Sequence, residues 1–163
     1  MQVRGWTFIE MMVVLLIIII FSTVGVPAWH HFINKYRAQS YMKELSQQLA
    51  YARVMASGQA SIVRICPLQH GQCQASWSEN PIQISLWQDT QWQLVRQLPP
   101  VHPSHQLHYN RTQLSFRRDG SLGPLENGSF IYCPSDGLSW HYRLTLNQAG
   151  RSRLHYLQTT CPA

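Results

Sequence analysis

Acidic residues are scarce in this chain. Its 163 residues include 7 Asp and Glu against 13 Lys and Arg, which gives a formal net charge of +6 at pH 7. The acids that lie beyond Ala28 form no obvious pair, so the sequence offers no two-carboxylate centre for acid–base catalysis. The positive charge favours an anionic partner such as nucleic acid, acidic polysaccharide or phospholipid; the alternative is a basic surface that only meets solvent.

Signatures of enzymes and of metal sites are also missing. The chain has no Walker A loop, no Gly-x-Gly-x-x-Gly, no Gly-x-Ser-x-Gly and no His-Glu-x-x-His. His102, His105 and His108 are spaced three apart, but Pro103 argues against a helix that would align them. We therefore expect no catalytic residue, no cofactor and no metal.

A membrane-length apolar segment lies near the N-terminus. Between Phe8 and Val26 the only charged residue is Glu10, and such a helix matches a hydrocarbon core of about 30 Å. Arg4, just before the segment, favours a cytoplasmic N-terminus and places the rest of the chain outside the cytoplasm. A carboxylate at this depth costs about 2.5–3.5 kcal/mol, so Glu10 is expected to have a partner, unless it sits at headgroup depth.

Beyond Pro27 the pattern predicts a second, amphipathic helical half. One apolar stripe recurs at helical spacing, and Ser57-Gly58 supplies a stop signal. Pro27 predicts a kink or junction between the two halves. The stripe comprises Tyr41, Leu45, Leu49, Ala52 and Met55.

From Ala60 onward the pattern changes to a period of two. About seven short strands are expected, with turn signals at Gln88–Gln91, Asp119-Gly120 and Gly150. A long helix followed by strands predicts an α+β fold in which an antiparallel sheet packs on the helix. Trp77, Trp87 and Trp92 are expected to pack in the core, although stacking on nucleobases is the alternative.

The 4 cysteines show no Cys-x-x-Cys spacing. An extracytoplasmic domain lies in an oxidising compartment, so two disulfides are expected. Three pairings are possible. We favour Cys66–Cys73, which closes a short Pro/Gly loop, and Cys133–Cys161, which ties the C-terminal tail to the sheet.

The N-terminus resembles the type III (prepilin) signal sequence of the type IV pilin superfamily. The matching run is Gly5-Trp6-Thr7-Phe8-Ile9-Glu10, with Trp6 in place of the usual Phe. The resemblance implies cleavage by prepilin peptidase between Gly5 and Trp6 and N-methylation of Trp6. It also implies that Glu10 pairs with the N-terminal ammonium of a neighbouring subunit during filament assembly.

The remainder resembles the minor pilin family that contains FimT and the type II secretion minor pseudopilin GspH. The resemblance rests on Phe116-Arg117-Arg118-Asp119-Gly120, the Ile131–Cys133 strand and Gly150-Arg151-Ser152-Arg153. It implies a GspH/FimT-like pilin fold with a long stalk helix. The expected segments are a leader (1–5), a transmembrane half (6–27), an amphipathic half (28–57) and a β-rich head (58–163).

A basic face is expected near the C-terminus. In a strand, Arg151 and Arg153 project to the same side, and pairing through the Asn147–Gly150 turn would place Arg143 beside them. His141 and His155 would flank these arginines, and Gly150 would permit the tight turn and a close backbone approach. Arg117 and Arg118 would extend the face, or else serve as solubility charges of a hairpin.

Two functions follow from the resemblance. FimT-like members bind double-stranded DNA for uptake in natural transformation, and Gly150-Arg151-Ser152-Arg153 is similar to their Gly-Arg-x-Arg motif. GspH-like members help to build the tip of a secretion pseudopilus without binding DNA. Both imply major and other minor pilins as partners and a single-pass precursor in the inner membrane. Its head would be periplasmic and then extracellular.

Overall fold

The computed structural model describes residues 7–134 and 138–162. The backbone is helical from Phe8 to Gly58, as α1 (Phe8–Ile20), a π-helical turn (Phe21–Gly25) and α2 (Val26–Gly58). Pro27 has no N–H to donate, and its ring crowds the preceding turn, so a regular α-helix is disturbed there. The wider π turn accommodates this disturbance, and α2 continues through Pro27 to the predicted stop.

The chain divides into two compact units, Met1–Arg37 and Ala38–Ala163. In the first unit no residue of α1 is buried, although nearly all of its side chains are apolar. By length and composition, the continuous helix Phe8–Gly58 is long and apolar enough to cross a membrane. An exposed apolar helix of this kind suits a lipid or protein environment rather than water.

In the second unit, one face of α2 is buried in the core. The buried positions are three and four residues apart, as expected for the inward stripe of an amphipathic helix. They are Ala38, Met42, Leu45, Leu49, Ala52 and Ala56. The predicted stripe is therefore confirmed at its centre, while Tyr41 and Met55 lie partly buried at its margins.

Among the described residues of the second unit there are nine strands, and every pairing between them is antiparallel. The strands are β1 (Val63–Gln69), β2 (Gln72–Cys73), β3 (Ile82–Gln88), β4 (Gln91–Leu98), β5 (Gln106–His108), β6 (Leu114–Phe116), β7 (Gly128–Cys133), β8 (His141–Leu146) and β9 (Ser152–Leu157). They form a five-stranded sheet, in the order β2-β1-β3-β4 with β6 also paired to β1, and a four-stranded sheet in the order β5-β7-β8-β9.

The strand pattern differs from expectation in number and in layering. The part of the head that the structure describes contains two sheets rather than one, and nine strands rather than about seven. The overlooked strand β2 has only two residues, so it carries no recognisable alternation. It follows a tight turn at His70-Gly71, where both residues have positive φ (49° and 79°). The α+β fold itself, with a helix packed on antiparallel sheets, is confirmed.

The aromatic residues divide between the core and the surface. Trp77 is buried, contacts Tyr109 and Phe130 edge-on, and donates its indole N–H to the carbonyl of Arg111 at 2.6 Å. The prediction of a core position is wrong for Trp87 and Trp92, whose side chains remain 39% and 37% exposed. They pair with each other on the outward face of the five-stranded sheet. Trp87 alternates with the buried Ile84 and Leu86 along β3, and the register places Trp92 directly opposite Trp87.

The three regularly spaced histidines do not form one group. His105 is buried, and its Nδ1 lies 2.7 Å from the hydroxyl of Tyr132. His102 is exposed, lies with its ring centroid 5.3 Å from that of His105 and contacts Ser104, whereas His108 is exposed and contacts Gln106. The spacing of three therefore distributes these side chains over a loop and the short strand β5.

Both favoured disulfides are present. Cys66 is joined to Cys73 and Cys133 to Cys161, with Cα–Cα distances of 5.5 and 5.8 Å. The first closes the β1–β2 hairpin. The second fastens the C-terminal tail to the end of β7.

Removal of the two disulfides is expected to have unequal effects. The loops span 7 and 28 residues, so the chain-entropy relation gives losses of about 2.4 kcal/mol for C66S/C73S and about 3.5 kcal/mol for C133S/C161S. Urea unfolding of the soluble head measures both. An equal or reversed order would contradict the entropic explanation.

Candidate nucleic-acid interface

The hairpin of β8 and β9 carries the predicted basic residues. Asn147 closes its turn: the Asn147 carbonyl accepts from Gly150 N at 2.9 Å, and the Asn147 side chain accepts from Arg151 N at 2.9 Å. Gly150 has φ +74°, a left-handed value that glycine adopts without steric cost. Arg151 and Arg153 follow the turn, and both are exposed.

The strand register places the arginines on one side of the sheet. Arg143 is paired with His155, and Arg153 is paired with Thr145 on the same face. Arg143 and Arg153 are therefore diagonal neighbours, with Cα atoms about 7–8 Å apart. Arg143 is half-buried, and its Nε has no hydrogen-bond partner among residues 7–134 and 138–162. The register thus puts Arg143 and Arg153 on one face, while Arg151 precedes the first paired residue of β9 and lines the cleft beside α2.

Among residues 7–134 and 138–162, the outward strand positions of this sheet that reach solvent include no acid. Opposite residues of paired strands share a face, so the register defines its members across the four strands. They are Gln106 and His108 on β5, Ser129 and Ile131 on β7, Arg143 and Thr145 on β8, and Arg153 and His155 on β9. We call this set, together with Arg151, the basic face. Its charge is uncompensated within the sheet, which suits an anion.

His141 does not belong to the exposed face, contrary to expectation. Its strand position has the outward parity of Arg143, but its side chain is only 1% exposed. Its Nδ1 lies 3.1 Å from the carbonyl of Thr159, to which it donates. The C-terminal tail, fastened by the Cys133–Cys161 disulfide, therefore covers this end of the sheet. Parity alone cannot predict such a covering segment.

The two arginine-containing sequence motifs meet in the fold. Leu122 N donates to the carbonyl of Gln148 at 3.0 Å, and the Gln148 side chain donates back to Leu122 O at 2.8 Å. The turn that carries Arg117 and Arg118 therefore lies beside the β8–β9 turn. Both arginines are exposed, and Arg117 Nε donates to Leu122 O at 3.1 Å.

Gly150 is buried at the contact between these turns. A Cβ at position 150 would lie 2.7 Å from the carbonyl oxygen of Gly120 and 2.8 Å from Cε1 of Phe116. The segment that closely approaches Gly150 is thus the Gly120 turn of the same chain. Arg151 leaves the β8–β9 turn directly after this contact.

Arg53 is a basic residue that the sequence reading did not single out. It lies on α2, and its side chain packs against Gly120 and Gly150 in a cleft that Arg151 also lines. Asp119 lines the same cleft. Hydrogen bonds from the side chain and backbone of Ser121 hold the pKa of Asp119 below its usual value, so this acid is charged at neutral pH. No local pattern identifies Arg53, because its neighbours here are distant in sequence.

The N-terminal site is only partly within the described residues. Gly5 and Trp6 lie outside them. Glu10 forms a capping box with Thr7: Thr7 N and Oγ1 both donate to Glu10 Oε2, at 2.9 and 3.0 Å. Glu10 therefore caps the start of α1, in addition to any part it plays between subunits.

Comparison with known proteins places the fold. Two crystal structures of the type IV minor pilin FimU from Pseudomonas aeruginosa strain PAO1 are similar to this chain. The first has a TM-score of 0.63 and 22% identity and covers 78% of this chain and 98% of that one. The second has a TM-score of 0.59 and 23% identity and covers 74% and 98%. No curated protein matches the sequence.

The family assignment comes from the sequence. The model of the family described as Type II transport protein GspH matches residues 42–150. This range includes most of the head but stops immediately before Arg151 and β9. Because the match spans more than half of the chain, the protein belongs to the family described as Type II transport protein GspH, and its fold is similar to that of the minor pilin FimU.

Proposed function

We propose that this minor pilin binds extracellular double-stranded DNA without sequence preference and presents it for uptake in natural transformation, as FimT-like members do. The observation that carries the proposal is the basic face: Arg143 and Arg153 are diagonal neighbours on the outward side of the sheet, the exposed Arg151 lies just before β9, and the outward strand positions among residues 7–134 and 138–162 include no acid. The protein supplies contact with DNA, and we propose no catalytic activity for it.

The arrangement suits a phosphate backbone better than base edges. Exposed guanidinium groups on a sheet surface can reach successive phosphates, and such contacts position a protein on DNA without reading its sequence. β9 is an edge strand, so the arginines that it carries are approachable from the side as well as from the face. Arg117, Arg118 and Arg53 border this surface and would add to its field, which Asp119 partly offsets.

Binding by the soluble head tests the proposal. A fragment beginning at Ala28 is titrated against unrelated 30-base-pair duplexes by fluorescence anisotropy at several salt concentrations. We expect similar affinities for all duplexes and a log–log salt slope of about −0.9 for each phosphate neutralised. No binding at low salt, or binding to a single sequence only, would contradict the proposal.

A second function is favoured by one observation, the match to the family described as Type II transport protein GspH. In this alternative the chain is a structural subunit at the tip of a secretion pseudopilus or pilus. Its contacts would then be with other pilins alone. Loss of protein secretion or of pili in a deletion strain, together with a head that does not bind DNA, would favour this alternative.

In either role we propose the same processing and location. Prepilin peptidase removes residues 1–5 after Gly5, Trp6 becomes the methylated N-terminus, and residues 6–27 anchor the precursor in the inner membrane. Residues 28–57 form the amphipathic half of the stalk, and residues 58–163 form a head that is periplasmic and later extracellular. The intact mass of the protein extracted from membranes tests the cleavage and the methylation.

Substitution of Glu10 separates its two roles. E10Q keeps a side-chain oxygen that can accept from Thr7 but removes the charge that would pair with a neighbouring ammonium. We expect the E10Q chain to remain in the membrane and its incorporation into sheared filaments to fall severalfold. T7A, which removes the hydroxyl of the cap and keeps the charge, is the control and should incorporate normally. Normal incorporation of E10Q would show that the charge is not needed.

A further inference from the structure

The outward face of the five-stranded sheet carries a second surface, distinct from the basic face. Four large apolar side chains remain exposed there: Ile62 (39%), Trp87 (39%), Trp92 (37%) and Leu94 (56%). Trp87 and Trp92 are cross-strand partners whose rings meet edge-on at 5.0 Å. Soluble proteins rarely expose large apolar side chains next to one another, and such patches commonly mark interaction sites.

A single cation lies at the centre of this patch. The guanidinium carbon of Arg64 lies 4.2 Å from the centroid of the Trp92 ring. Within residues 7–134 and 138–162, Arg64 Nε is buried and has no hydrogen-bond partner. Arg64, both tryptophans and Ile62 line one groove of about 500 Å³ together with Gln113 and Ser115. Burial lowers the pKa of Arg64, which marks it as a partly desolvated cation.

We propose that this groove docks another protein, through an Asp or Glu carboxylate that engages Arg64 and apolar side chains that cover Trp87, Trp92 and Leu94. A carboxylate accepts two parallel hydrogen bonds from a guanidinium, and Arg stacked on an aromatic ring is already oriented for them. Trp and Arg are also the residue types that dominate the energetics of protein interfaces.

The chemistry of the groove favours a protein over a nucleic acid. A nucleic-acid strand requires a row of positive charges along its backbone. Among the described residues that line the groove, Arg64 is the one cation, and the outward neighbours Gln83, Ser85, Gln113 and Ser115 are neutral. Ile62 and Leu94 add aliphatic surface, which suits the interior of a protein interface.

Charge also argues against a second copy of this chain as the partner. The chain has a formal net charge of +6, so two heads would repel each other. The complementary partner is a protein of different sequence, whose surface presents an Asp or Glu side chain among apolar side chains. The strand β4, which carries Trp92 and Leu94, is at the edge of its sheet, so the partner's backbone can also pair with it.

Site-specific cross-linking of the full chain in its own cells tests the proposal. A photoreactive amino acid is placed at Leu94, and a matched control is placed at Leu125, an aliphatic residue that is 76% exposed on the connection between β6 and β7. We expect an adduct at Leu94 with a protein other than this chain, attached to a peptide that contains an Asp or Glu. In an R64Q background its yield should fall about tenfold. The adducts formed from position 125 should be the same in the R64Q chain as in the parent chain.

A charge exchange completes the test. R64E should abolish the adduct, and conversion of the mapped acid of the partner to Arg should restore it. R64Q and R64E chains that keep both disulfides and normal amounts show that the head is folded. No adduct at Leu94, an adduct with a second copy or with a polysaccharide, or a yield indifferent to R64Q would overturn the proposal.

Discussion

Replacement of Arg151 and Arg153 by glutamine is expected to weaken binding of the head to duplex DNA about 30-fold at 0.15 M salt. Each phosphate contact contributes about 0.9 to the slope of log affinity against log salt concentration. Two contacts therefore raise the association constant at 0.15 M salt about 30-fold over its value at 1 M, and their loss removes this factor. The slope itself should fall by about two. All duplexes should be affected alike, because the contacts are with phosphates.

The control must remove the same charge from another place. K43Q/R111Q lowers the net charge by two at exposed positions on α2 and in the loop after β5. We expect its affinity and slope to stay close to those of the parent. R143Q should act in the same direction as the double variant, because Arg143 lies diagonally opposite Arg153. A double variant that binds like the parent would leave the structural, assembly-only role as the better account.

Substitution of Gly150 by alanine is expected to destabilise the head by about 3 kcal/mol or more. Two costs combine: a left-handed backbone for alanine, of order 1 kcal/mol, and overpacking of about 1–3 kcal/mol. The second arises because the new methyl group would lie 2.7 Å from Gly120 O and 2.8 Å from the Phe116 ring. Thermal unfolding measures the loss, because Tm falls by roughly 3–6 °C for each kcal/mol in a domain of this size.

Gly71 provides a matched comparison. It has a similar φ of +79°, but a Cβ there meets nothing within 4 Å. G71A should therefore cost only the backbone term, of order 1 kcal/mol. The difference between the two variants isolates the contact with Gly120 and Phe116. Equal losses would show that this contact can relax.

The sequence predicts those features that depend on neighbouring residues. The apolar run, the stripe around Leu45 and Leu49, and the alternation along β8 and β9 are all local patterns. The Asn147–Gly150 turn then fixes the hairpin register, so the placement of Arg143 beside Arg153 follows without knowledge of the remaining fold.

The rest depends on which segments cover which faces. Trp87 alternates with the buried Ile84 and Leu86 along β3, and Trp92 lies opposite it, but the pattern does not say which of the two faces is inward. His141 has outward parity and is nevertheless covered by the tail at Thr159. Arg53 reaches the cleft only because α2 packs beside two turns that are distant in sequence. Long-range packing decides each of these cases, and no local spacing encodes it.

The contact between Gly120 and Gly150 also bears on how such proteins are recognised. The two glycines belong to separate motifs, and the carbonyl oxygen of Gly120 leaves no room for a side chain at Gly150. Gly120 itself would bring a Cβ only against Arg53, but its φ of +77° is left-handed, as is the +74° of Gly150, so both turns favour glycine. A search for DNA-binding relatives is therefore better built on both glycines than on the arginine motif alone.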